Sequence, residues 1–407
     1  MTGHGADVDS VRLAVRRAAG GIMNSTCVGL LLTALAVGAV DWTAKPILAD
    51  DRLARNVILF IGDAGGIPTI NAAAIYKYRA PRKLFIHTMP YVALVETSSA
   101  SEWVTDSAAA MTAMVTGHKT HNGVLSQSDT AVRGVKDGEA LKTILEHAEE
   151  RGLSTGVVSN SSVASATPAA CYAHVNDRRK EGEIFVQALT PRFGDGIDLV
   201  IGPDRAEILE ATRTSGVDIV SMLRKSGRDL YDSLEALPAG AHRPVVLLQT
   251  EEFDLGRATE IAIEILSRNQ KGFFLMVESN VHTDELIRGL ERMAVLDEII
   301  RRTAARTDSK DTLILFTADH SYDFRIHDGA KSEALLGDFT DPAFGDDVES
   351  MRLDNVRRDD DHTGEEVLAA AQGPGADRVR GVLSNTDIFH IMTAAYGWDS
   401  ASAGSPK

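Results

Sequence analysis

Cysteine is nearly absent from this chain, with only Cys27 and Cys171 in 407 residues. So few thiols exclude both a disulfide framework and a cysteine-based zinc site. A chain of this length can hold its fold by core burial alone. Positive charge is short as well: 42 lysines and arginines face 58 acidic residues, for a formal charge of −16. Such a surface repels nucleic acids and anionic membranes, so no nucleic-acid-binding surface is expected. An anionic substrate would need local positive charge from arginine or from bound metal. Long apolar runs are missing too. The stretch "CVGLLLTALAVGAV" (27–40) is too short for a spanning helix. Internal repeats and low-complexity tracts are also absent.

What is present begins with a leader. Arg12, Arg16 and Arg17 precede that apolar run, and small residues follow it. This order marks residues 1–49 as a signal peptide or N-terminal leader, with Met23 as an alternative start and Ala39, Ala44 or Ala49 as cleavage points. An uncleaved anchor is the other reading. Loss of the leader would leave Cys171 without a partner. Residues 50–400 are expected to form a single domain and 401–407 a flexible tail. The protein is expected in the periplasm or outside the cell, without a membrane span in its mature form.

Short apolar runs then alternate with helical patterns. The runs are "NVILFIG" (56–62), "STGVVSN" (154–160), "IDLVIG" (197–202), "PVVLLQT" (244–250), "GFFLMVE" (272–278) and "TLILFTAD" (312–319). Continuous apolar runs suit strands buried on both faces. Helix candidates lie between them, including 139–152 and 257–269. The alternation predicts an α/β fold, a largely parallel central sheet with helices on both faces. Residues 321–361, rich in Asp, Gly and Arg, are expected to form long surface loops.

Three of these strands end in acid: Asp63, Glu278, and Asp319 with His320 beside it. In open α/β sheets, ligands bind beyond the carboxyl ends of the strands. One such carboxylate is ordinarily a helix cap. Three on one edge would repel each other unless a cation lay between them. Oxygen with imidazole ligands suits zinc together with magnesium or manganese. A second feature is "VTDSAAAMTAMVTG" (104–117), a helix-prone stretch opening with Asp106 and Ser107. Both are good caps. A serine placed there could equally be a nucleophile, its developing charge stabilised by the helix terminus.

The segments "NVILFIGDAGG", "VTDSAAAMTAMVTGHKTHNG", "SATPAACYAHVNDRR", "TADHS" and "DDHTGEEV", in that order and spacing, resemble those of the alkaline phosphatases from about Asn56 to Gly397. The resemblance implies that family's three-layer sandwich, two Zn2+ and one Mg2+, and hydrolysis of small-molecule phosphate monoesters through a phosphoserine. By the same likeness, Ser107 is the nucleophile, and Arg178 grips phosphate while Asp106 orients it. Asp63 bridges the second zinc and magnesium. Asp319 and His320 hold the second zinc beside Ser107, Thr167 and Glu278 hold magnesium, and His362 serves the first zinc. A homodimer is implied in the same way.

The chain departs from the family at several points. "GDGMG" reads "GDAGG" here, and Ser165 stands where the family often has Asp or His near the magnesium. After Glu278, Thr283 and Ile287 occupy the positions of the family's usual aspartate and histidine. His282 and Asp284 lie close by, and alternation in an extended loop points both the same way. They are expected to replace the missing pair, although Asp284 could instead cap the next helix. Two other functions remain open: a phosphodiesterase of the same superfamily, and a phosphate-binding relative with a degraded first zinc site. A sulfatase is disfavoured, because no Cys/Ser-x-Pro-x-Arg signature surrounds Ser107.

Overall fold

Eight consecutive buried residues, Asn56–Asp63, form the central strand of the sheet. Side chains on a strand alternate between its faces. Val57, Leu59 and Ile61 therefore enter one hydrophobic core, and Ile58 and Phe60 enter the other. A strand covered on both sides has no polar face to show, which is why its sequence is an unbroken apolar run.

The structure is a computed structural model and describes residues 52–341 and 350–398. The leader, its cleavage points and the C-terminal tail lie outside the described residues. In chain order the elements are β1 (Asn56–Asp63), α1 (Ile67–Tyr78), β2 (Tyr91–Glu96), α2 (Ser107–Thr116), α3 (Ile144–Glu150), β3 (Ser154–Ser159), α4 (Ala166–Ala169), α5 (Glu181–Leu189) and β4 (Leu199–Gly202). They continue with α6 (Arg205–Thr214), α7 (Ile219–Lys225), β5 (Leu230–Tyr231), β6 (Val245–Leu247), α8 (Leu255–Leu266), β7 (Phe273–Asn280), α9 (Leu286–Arg306) and β8 (Thr312–Ala318). The last are β9 (Ser321–Ile326), β10 (Ser350–Arg352), β11 (Val356–Thr363), β12 (Val367–Gln372), β13 (Gly381–Ser384) and α10 (Asp387–Ala395).

Ten strands make the main sheet, in the order β13-β2-β12-β8-β1-β7-β3-β4-β6-β5. From β8 to β5 every pairing is parallel, and β12 runs antiparallel to β8 and to β2. Helices α2, α3, α5 and α10 bury residues in one core, and α1, α8 and α9 in the other. This is the expected three-layer α/β arrangement.

Two expectations need correction. The helix expected over 139–152 starts only at Ile144. Thr143 and Glu146 close a reciprocal capping box there, and Ala140 is still bridged to Gln127. The stretch 321–361 is long loop only in part, over residues 327–341 among those described. Its described part supplies β9, β10 and β11, an antiparallel three-stranded sheet. The exposed face of β11 carries charged side chains, so the strand lacks the apolar run that marks the buried ones.

The order β8-β1-β7 decides where chemistry can occur. Parallel neighbours end together, and the register sets Ile61 opposite Glu278, Asp63 opposite Asn280 and Gly62 opposite Ala318. Asp63, Glu278 and Asp319 thus meet at one edge. Immediately beyond Asp63 the backbone turns sharply, with Ala64 at φ 64°. A side chain there costs about 1 kcal/mol relative to glycine, and the Ala64 N–H is thereby aimed at Asp319 Oδ1, 3.1 Å away.

Candidate active site

Helix α2 points its N-terminus at this carboxylate edge. Asp106 is its N-cap: Oδ1 accepts from the Ala109 N–H at 3.0 Å. The other oxygen, Oδ2, accepts from Arg178 Nη1 at 3.1 Å. One carboxylate therefore both starts the helix and aims the guanidinium. Ser107, the first helical residue, is buried, and its Oγ lies 3.4 Å from His320 Nε2. Capping and reactivity are not rivals here, since Asp106 does the capping and leaves the serine hydroxyl free.

His320 is fully buried, and its Nδ1 donates to the Ser321 carbonyl at 3.1 Å. That leaves Nε2 facing the carboxylates, 3.3 Å from Asp63 Oδ1 and 3.5 Å from Asp319 Oδ2. Thr167, on α4, has its hydroxyl 3.5 Å from Asp63 Oδ2. Glu278 accepts from the Ser159 hydroxyl through Oε2. Its Oε1, and Oδ2 of Asp319, meet no hydrogen-bond donor among the described residues.

Two sets of residues each bring their ligand atoms within 4.8 Å of one another: Asp63, Asp319 and His320, and His282, His320 and His362. His362 stacks on His320 with centroids 3.6 Å apart, and its Nδ1 faces the Thr105 carbonyl at 3.1 Å. His282 Nδ1 donates to Asn280 Oδ1 at 2.8 Å. Each imidazole is oriented through Nδ1, as metal-binding histidines are held by a hydrogen bond from the ring nitrogen that faces away from the metal.

The protonation preferences tell the same story. Burial, with Asp63 close by, pushes Glu278 well above the usual carboxylate range and lifts Asp319 to about 7. Burial also opposes ionisation of Asp63, but His282, His320 and Arg178 outweigh it and hold the group below its ordinary value. Burial alone would depress His320, yet Asp319 and Asp63 raise it to about 9. His362 is driven down to about 4 by burial and by its neighbour His320. A buried group of carboxylates that draws protons onto its own members and onto His320 fits divalent cations, which would displace those protons. A cation would occupy the lone pairs that Glu278 Oε1 and Asp319 Oδ2 leave unmet.

Of the expected ligands outside these two sets, Ser107 and Thr167 contact their members and Glu278 lies close enough for Asp63 to raise its pKa, whereas Asp284 and Ser165 stand apart. Asp284 is exposed, and its Oδ1 accepts from the Glu285 N–H at 2.9 Å. It does not cap α9 in the usual sense either, because Glu285 is the N-cap. Ser165 precedes α4 without a side-chain cap bond and stands partly exposed. In contrast, Ser159, Asn280 and Tyr322 touch site residues and were not anticipated. Their only sequence signal is position: Ser159 ends an apolar strand as Glu278 does, and Tyr322 follows His320 by two.

The alkaline phosphatase family model matches residues 54–237 and 218–337. The tissue-nonspecific alkaline phosphatase of Mus musculus is 27% identical over 439 residues, covering 84% of each chain. Streptomycin-6-phosphate phosphatase of Streptomyces griseus is 31% identical over 425 residues, covering 84% of this chain and 91% of that one. Among solved structures, the alkaline phosphatase of the Antarctic bacterium TAB5 superposes with a TM-score of 0.69 at 24% identity, over 85% of this chain and 99% of its own. That of Thermus thermophilus gives 0.71 at 20% identity, over 86% and 93%. At these identities the structural likeness speaks for the fold.

Proposed function

The chain belongs to the alkaline phosphatase family, and from that premise we propose that it hydrolyses phosphate monoesters through a phosphoserine at Ser107, with two zinc ions and one magnesium. One observation carries this reading: a buried serine at a helix N-terminus, 3.4 Å from a histidine of the carboxylate cluster, with Arg178 held alongside by the helix cap.

Ser107 Oγ attacks phosphorus, the bond to the leaving oxygen breaks, and water later releases phosphate from the serine. The α2 terminus favours the negative charge that develops on Oγ. Arg178 presents two parallel N–H donors to phosphate oxygens, a geometry lysine cannot copy. Asp106 holds that fork in place. Asp63, Asp319 and His320 would hold the second zinc, Asp63, Thr167 and Glu278 the magnesium, and His282 and His362 would serve the first zinc. Divalent metal at these positions supplies Lewis acidity, lowering the pKa of a bound hydroxyl and neutralising phosphate charge. A variant of the TAB5 enzyme has been solved with Mg bound, which supports a magnesium position in this fold. Residues 50–400 act as one catalytic domain in this account, delivered outside the cytoplasm by the leader.

Turnover of p-nitrophenyl phosphate against its bis-ester, with and without EDTA, tests the proposal. Preferential monoester hydrolysis that EDTA abolishes and zinc plus magnesium restore is expected. Faster diester turnover, or full activity after metal removal, would contradict it.

A further inference from the structure

Ser159 is the last residue of β3, and it lies directly opposite Glu278 in the β3–β7 ladder. Paired residues on neighbouring strands present their side chains to the same face of the sheet. Val157 and Met276, two residues earlier on each strand, enter one hydrophobic core. By the alternation of a strand, Ser159 and Glu278 follow them onto that face. Both are fully buried.

The serine hydroxyl is held from behind. Its Oγ accepts from the Ser161 N–H at 2.8 Å, where the chain turns out of β3. A hydroxyl has one proton to give, and here it goes to Glu278 Oε2. Glu278 Oε1 meets no donor among the described residues. One oxygen of the carboxylate is therefore spent on the protein, and the other alone is left for a cation.

That division bears on which cation is held. Magnesium demands near-ideal octahedral coordination, and calcium takes six to eight oxygens, with carboxylates bound through one oxygen or both. A carboxylate limited to one oxygen suits the smaller ion, and one free to offer both suits the larger. Few other groups are at hand to set the choice. Thr167 and Asp63 meet at 3.5 Å, and Ser165, before α4, stands apart.

We propose that Ser159 is a positioning residue that restricts Glu278 to a single ligand oxygen and so selects magnesium over calcium at the third metal position. The inference rests on the metal-dependent reading given above. It gives the polar end of β3 a task that the phosphate chemistry itself does not use.

The test uses the full chain and its Ser159→Ala variant, each freed of metal and reloaded with two equivalents of zinc. Mg2+ and Ca2+ are titrated separately, and binding is followed by calorimetry. Wild type should bind Mg2+ the more tightly. Ser159→Ala should weaken Mg2+ roughly 10–100-fold, the usual effect of removing a ligand's hydrogen-bond partner. Its Ca2+ affinity should hold or rise, so the preference should fall by at least about tenfold. If Ser159→Ala does not fold, Ser159→Cys takes its place with the same expectation, being close in size with only a weak donor. Loss of packing alone would weaken both cations together. Equal weakening would therefore overturn the inference, as would unchanged affinities or a wild-type chain without the preference. In each of those cases, EDTA-sensitive monoester turnover by wild type leaves the proposed function standing. A wild-type chain that binds neither zinc nor magnesium removes both.

Discussion

At the scale of single residues, Asp106 is the most economical device in the molecule. Its two oxygens serve two ends, one on the Ala109 amide and the other on Arg178. Two substitutions separate these roles. Asp106→Ala removes both contacts and should cost about 1 kcal/mol of stability through the lost cap. It should also weaken inhibition by inorganic phosphate. Asp106→Asn keeps a good cap and removes the charge partner of Arg178, so phosphate inhibition should weaken while the melting temperature stays near wild type. Phosphate inhibition unchanged in both variants would show that Arg178 needs no orienting partner. Arg178→Lys should behave like Arg178→Ala in the same assay, because an ammonium lacks the planar fork.

At the scale of elements, α3 and β3 carry a buried titration away from the site. Glu149, in the last turn of α3, accepts from the Thr155 hydroxyl and the Gly196 amide. Burial, with a contribution from Asp198, raises it from 4.5 to about 7. The folded state then binds this proton more tightly than the unfolded state does. Its contribution is fully favourable below pH about 4.5 and is lost as pH rises through about 7. At about 1.4 kcal/mol per unit, the loss is on the order of 3 kcal/mol at most. Glu149→Gln should flatten the fall in melting temperature across that window, and an unchanged pH profile would contradict the assignment. The elements also show what the sequence could reveal. The buried parallel strands were legible as apolar runs, and their terminal acids named Asp63, Glu278 and Asp319 before any geometry. The small β9–β10–β11 sheet was not, because "VRRDDDHT" reads as a charged loop until its pairing with β9 is known. His282 could be named from its spacing beyond β7. The orientation of Asp284 could not, since one backbone amide next to it decides where the carboxylate turns.

At the scale of the whole molecule, the proposed function has an acidic chain with a net charge of −16 handle an anionic substrate at a buried carboxylate edge. Cations resolve that contradiction, and they should also hold the fold. A ligand that binds only the folded state stabilises it by mass action, about 2.7 kcal/mol when its concentration is 100 times its dissociation constant. EDTA should therefore lower the melting temperature by several degrees, and zinc plus magnesium should restore it. An identical melt with and without chelator would mean that no tight metal site exists. The central claim is the nucleophile, and acid-quench labelling tests it most directly. The metal-loaded protein is mixed with radiolabelled phosphate, quenched in acid, digested and mapped by mass spectrometry. The label should appear on the peptide containing Ser107, at that residue, and should vanish in Ser107→Ala. Phosphate trapped on another side chain, or Ser107→Ala with undiminished turnover, would contradict the account.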